Sequence, residues 1–197
     1  MLSLAWITHL RVLARVLVVG LVAPSACAAT GACAIADFQT VEIRSAHADG
    51  WPLNVNNQLR LRYPHEPNGA ALAADNFLRV TFADGAMAVI SLRDATELAR
   101  NAPAGSAPLP APYWRNVFTG ADEEGCKVAD VLDLTGQDYR IQFDRKGFHV
   151  YAFGKGDHHQ FFAIPQNPNH PVVNGLFRRM TRARAESILE TITTEGI

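Results

Sequence analysis

Two adjacent histidines stand out as residues that could do chemistry, in the stretch "YAFGKGDHHQFFAIP", Tyr151–Pro165. Imidazole titrates near neutral pH, so His158 or His159, with Asp157 or Asp138 as the carboxylate, has the groups for acid–base work in a hydrolase. A metal site needs three or four ligands; Asp157 offers a third, and His170 in the following Pro/Asn-rich loop could approach. His149 falls outside that cluster, about five strand positions from the turn, or roughly 15 Å at ~3.3 Å per residue. Neighbouring strand residues point to opposite faces, so the two imidazoles converge only where the backbone turns, as Gly154 and Gly156 allow. The segment is read as catalytic or metal-binding, as a solvated turn, or as a loop tip that meets a partner. The balance favours contact over chemistry, with Asp157, His158 and His159 as partner-binding residues and no metal.

The remaining candidates are also recognition residues. Tyr113 and Trp114 end a proline-rich stretch, Trp51 sits in "DGWP", and Phe161-Phe162 straddle a strand beside the histidines. Gathered on one rim, Trp51, Tyr113 and Trp114 would supply the aromatic anchors of a binding hot spot; taken singly, each reads more readily as a core residue. Arg178, Arg179, Arg182 and Arg184 face water or form a docking patch for an acidic partner or glycan. The acids of "ADEEG", Ala121 to Gly125, lack the regular ligand spacing of a calcium loop and read as a solvated turn. No G-x-S-x-G elbow, H-E-x-x-H pair, P-loop or dinucleotide fingerprint occurs, and no cofactor is expected.

Period-two alternation supplies the elements that hold these residues. "VNNQLRLRY" alternates Leu59, Leu61 and Tyr63 with Arg60 and Arg62, as a half-buried strand does. "FLRVTFADGAMAVISL" is a hairpin turning at Asp84-Gly85. "YRIQFDRKGFHVYAFGKGDHHQFFAIP" reads as three strands turning at Asp144 to Gly147 and Gly154 to His158. Strands at "FQTVEI" and "KVADVLDL" bring the total to seven or eight. Helices are expected at "TRARAESILETIT", capped by Thr181, and at Leu92 to Asn101. The predicted fold is mainly β: an antiparallel sandwich or open barrel with a C-terminal helix. The four prolines between Asn101 and Trp114 predict an extended surface loop over 101–114.

The N-terminus bears on compartment. Arg11 and Arg15 precede the apolar run Val16 to Val22, then Pro24 and the small triplet Ala26-Cys27-Ala28. That order is a secretory signal over 1–28, too short to span a bilayer, followed by one domain over 29–197. Lipidation at Cys27 is disfavoured by Pro24. Cleavage leaves Cys33 and Cys126, an even pair for an oxidising periplasm, so a Cys33–Cys126 disulfide is expected. The whole chain carries a net charge of −1; without the two signal arginines it is about −3, which gives no electrostatic reason to bind nucleic acid or an anionic membrane.

The stretch "CKVADVLDLTGQDYRIQFDRKGFHV", Cys126 to Val150, with "CAIADFQTVEI" before it, resembles the cysteine-bearing strands of small periplasmic immunity proteins. The resemblance implies a non-enzymatic inhibitor that plugs the active site of a cell-wall-degrading type VI secretion toxin. It covers about a quarter of the exported chain and carries over no inhibitory residue. The expected function is therefore an exported immunity or inhibitor protein acting through protein–protein contact. The alternatives are a small ligand-binding or envelope-assembly β domain, or a hydrolase using His158 or His159.

Overall fold

A computed structural model describes residues 33–35, 37–43, 49–55, 59–73, 77–101, 108–145 and 147–193. The expected signal over 1–28 and part of the proline-rich stretch, 102–107, lie outside the described residues. The fold is mainly β. Strands β1 (Gln39–Thr40), β2 (Trp51–Val55), β3 (Leu59–Tyr63), β4 (Gly69–Ala73), β5 (Phe77–Thr81) and β6 (Met87–Arg93) lead into helices α1 (Ala95–Asn101), α2 (Pro110–Thr119) and α3 (Glu123–Val131). Strands β7 (Tyr139–Arg145), β8 (Phe148–Lys155), β9 (His158–Pro165) and β10 (Val172–Arg178) follow, and α4 (Arg182–Leu189) ends the described fold. Eight strands form one open sheet in the order β1-β7-β8-β9-β10-β6-β5-β4, and β2 and β3 form a separate ribbon. The sheet is mixed, because β1 runs parallel to β7 while every other pairing is antiparallel.

Sheet alternation sorts side chains into two cores. One face turns Ile90, Ile141, Val150, Phe161 and Phe177 toward the β2–β3 ribbon and α4, which contribute Leu59, Leu61, Tyr63, Ile188 and Leu189. The other face turns Tyr151, Phe153, Phe162 and Ile164 toward α2 and α3, which contribute Trp114, Val117, Phe118 and Ala129. This second cover sits over β8, β9 and the Val172 end of β10. Among the described residues, no helix is long and apolar enough to cross a membrane.

Two expected elements change class. The stretch through Trp114 is not wholly a loop, because Pro110 and Pro112 open α2. Prolines are tolerated in a first helical turn, where backbone N–H groups have no intrahelical partner. "KVADVLDL" is not a strand but the body of α3 with a short 3-10 turn, Leu134–Gly136, after it. The acids read as a solvated turn start that helix: the Asp122 carboxylate accepts from the Gly125 N–H at 2.6 Å, and Glu123 and Glu124 occupy the positive end of the helix dipole. "FQTVEI" contributes only the two residues of β1.

The β5–β6, β7–β8 and β8–β9 hairpins form as expected. At the first, the Gly85 N–H donates to the Phe82 carbonyl and Gly85 takes φ 79°, a turn closed by a left-handed residue. The capping of α4 also follows expectation, with the Thr181 hydroxyl accepting from the Arg184 N–H at 3.3 Å. Cys33 and Cys126 form a disulfide across 93 residues, tying the N-terminal segment to α3.

Candidate functional site

His158 and His159 do not converge. The β8–β9 reversal is made by Gly156 and Asp157, so β9 already begins at His158 and the two rings leave on opposite faces. Gly156 has φ 59° at the first central turn position, and its N–H donates to the Asp138 carboxylate at 2.8 Å. Asp138 thus fastens the turn.

His159 is 2% exposed and belongs to the α4-covered face. Its Nε2 lies 2.8 Å from the Met180 carbonyl, which can only accept, so that nitrogen carries the proton. In neutral imidazole Nδ1 is then the acceptor for the Tyr139 hydroxyl at 3.2 Å. Gly154 stands between Tyr139 and His159 in the same cross-strand row. A Cβ at Gly154 would come within 2.4 Å of His159 Nδ1 and 2.7 Å of the His158 carbonyl oxygen. This glycine is therefore not a turn residue: its missing side chain is the channel through which tyrosine and histidine meet. Burial, then Glu186, pushes the Tyr139 phenol well above its usual range, with Arg182 opposing, its guanidinium 4.3 Å from the ring centroid. The result is a locked structural pair.

His158 is exposed on the other face, its Nδ1 2.7 Å from the Asp157 carboxylate. His149 bonds Asp144 at 2.7 Å near the far end of β8, and His170 pairs with Asn167 at 3.1 Å. These four histidines therefore stand at four separate places. Among the described residues, no three His, Cys, Asp or Glu side chains group as a metal site.

The aromatic candidates do not share a rim. Trp51 is half-buried on the ribbon, stacked on Tyr63 at 6.4 Å, on the α4 side of the sheet. Trp114 is on the opposite side and is 8% exposed, its ring 4.5 Å from Phe162. Tyr113 packs edge-on against Trp114 at 5.5 Å and is only partly buried; burial pushes its phenol up, with Glu124 adding to the effect. Phe161 and Phe162 do straddle the sheet, but both are core residues. The arginine run divides as well. Arg182 pairs with Glu186 and Arg184 with Asp84, while Arg178 and Arg179 line a cleft.

That cleft belongs to a surface that sequence reasoning missed. Helices α2 and α3 leave the same face of β5, β6 and the Leu176–Arg178 end of β10 uncovered. Register places Phe77, Arg79 and Thr81 of β5 beside Ser91, Val89 and Met87 of β6. Beyond them stand Asn174, Leu176 and Arg178 of β10, then Gln160 and His158 of β9. The strip holds two adjoining clefts. One, of about 760 Å³, is lined by Phe77, Val89, Leu176, Gln160 and Asn174 with the Arg93–Glu97 ion pair at its rim. The other, of about 430 Å³, is lined by Arg79, Met87, Arg178, Arg179, Asp157 and His158. Both parities of β5 and β6 carry apolar residues, Phe77 and Val89 as well as Leu78, Val80 and Ile90. A strand that merely wets one face has no need of that, and this was the available signal. No family model matches the chain, nor does any curated protein or solved structure.

Proposed function

We propose that this is an exported, non-catalytic binding protein: an immunity or inhibitor protein of the periplasm that blocks a cell-wall-degrading toxin by direct contact. The carrying observation is the uncovered strip of β5, β6 and β10. Apolar Phe77, Val89 and Leu176 lie there beside cationic Arg79 and Arg178, next to the hairpin tip of Asp157 and His158. A face mixing apolar area with a charged rim suits a protein partner. The disulfide and the Asp138-fastened turn favour a surface set before binding, which lowers the entropy lost on association. The signal-like segment over 1–28 supports export, and the resemblance around Cys126 supports the toxin class. The test is to mix the oxidised chain with the product of its neighbouring gene. A one-to-one complex that abolishes peptidoglycan hydrolysis is the expected result; undiminished hydrolysis by a neighbouring hydrolase at saturating chain removes the inhibitor reading.

A further inference from the structure

We infer that the cleft beside the β8–β9 tip takes a short acidic segment of the protein partner, its carboxylates held by Arg79, Arg178 and Arg179. The inference rests on reading this face as the partner surface, and names the chemistry of what covers it. Register lines up Lys155, His158 and Arg178 on three neighbouring strands, on one face. Arg79 stands one row further in, opposite Val89, and lines the same cleft. Among the described residues, the side chains of Arg79, Arg178 and Arg179 have no ion pair or hydrogen bond, whereas those of their neighbours Arg182 and Arg184 are each paired to an acid. Among the described residues that line the cleft, the one carboxylate, Asp157, is bonded to His158.

The backbone adds a second, independent observation. In an extended strand Arg178 and Arg179 would point to opposite faces. Arg179 instead takes φ 54°, a left-handed conformation that side chains other than glycine rarely adopt, and both arginines line the same cleft. A Cβ on Gly85 would lie 3.7 Å from the Arg179 guanidinium, so this side chain lies along the glycine of the β5–β6 turn. Strain held in place by the surrounding fold is a mark of functional positions.

The shape and charge of the strip select among anions. Two residues inward from Arg178 along β10 is Leu176, flanked by Val89 and Gln160. That spacing of roughly 7 Å matches alternate side chains of an extended peptide. An occupant therefore presents carboxylates at one end and apolar groups at the other. A chain of net charge −1 sets up no long-range attraction for a polyanion, which disfavours nucleic acid or an anionic bilayer.

The test uses the full oxidised chain and a fluorescein-labelled peptide of three glutamates followed by alternating valine and serine, read by anisotropy. Its control replaces the glutamates by glutamine. The expected result is binding that weakens about tenfold in the control, and about tenfold again in an Arg79→Gln/Arg178→Gln/Arg179→Gly variant of unchanged melting temperature. Glycine removes the left-handed strain at 179, so loss of binding there is not loss of fold. Equal binding of the two peptides, or an unaffected triple variant, overturns the inference, as does preference for phosphatidylglycerol vesicles or a DNA oligonucleotide over the acidic peptide. If the toxin is inhibited equally by the triple variant, the inhibitor reading stands and this inference falls. If the acidic peptide binds as expected but no toxin is inhibited, the reverse holds.

Discussion

Removing the disulfide is the perturbation whose cost follows most directly from the fold. Cys33 and Cys126 enclose 93 residues, and that loop contains six strands and two helices. A cross-link closing such a loop lowers the entropy of the unfolded chain, which the loop-closure relation puts at about 4 to 5 kcal/mol at 25 °C. Domains of this size have total stabilities of about 5 to 15 kcal/mol, so the bond represents about a quarter or more of the margin. The assay is urea unfolding of the oxidised chain against a Cys33→Ala/Cys126→Ala variant. Alanine is chosen because Cys126 is buried in α3, where a serine hydroxyl would add its own penalty. The variant is expected to lose about 4 kcal/mol and to show a steeper dependence on urea, since an unlinked chain exposes more surface on unfolding. A loss below about 1 kcal/mol with an unchanged slope would refute the reasoning, because the linkage would then not constrain the unfolded chain.

Three further outcomes can be measured. Gly154→Ala places a methyl group where His159 Nδ1 and the His158 carbonyl already are, and is expected to cost about 2 to 4 kcal/mol by chemical denaturation, from overpacking and the broken Tyr139–His159 bond. Tyr63→Phe removes a fully buried hydroxyl that has no hydrogen-bond partner among the described residues, and is expected to raise stability by about 0.5 to 2 kcal/mol. Asp84 accepts from the Ala86 N–H and pairs with Arg184, and together these hold its carboxyl below the usual range. Its contribution is therefore present above the unfolded carboxyl value of about 4 and lost as pH falls through the lower folded value. The melting-temperature gap between the wild-type chain and Asp84→Asn should close on acidification; a gap constant down to about pH 2 would contradict the assignment.

The strands legible in the sequence are those whose alternation meets water on one side or whose turns carry glycine: β3, the β5–β6 hairpin and the run β7 to β9. Strand β10 escapes such reading because Asn174-Gly175 inside "VVNGLFR" has the composition of a turn. Gly175 is there for a different reason, since its opposite neighbour Phe161 lays its ring where a Cβ would sit. Strand β2 is masked by Pro52, tolerable because the ribbon has only two strands and thus free edges. The strand expected at "KVADVLDL" is instead helix α3, whose start Asp122 followed by two acids does signal. The histidine tip was located correctly, but which ring would be buried depended on where the turn ended. The uncovered strip shows locally only in the apolar residues on both parities of β5 and β6, because its extent is defined by where α2 and α3 stop.

Strand β10 is the seam of the large sheet, joining β9 to β6. Residues 87–93 wait for partners at 172–178, far along the chain. Pairings between such distant segments form slowly, and unpaired strand edges stay open to other chains in the meantime. A chain shortened before residue 172 keeps β4 to β6 and β7 to β9 as two half-sheets with raw inner edges. Such truncations are expected to aggregate, and the intact chain to need shelter from sticking until β10 has arrived.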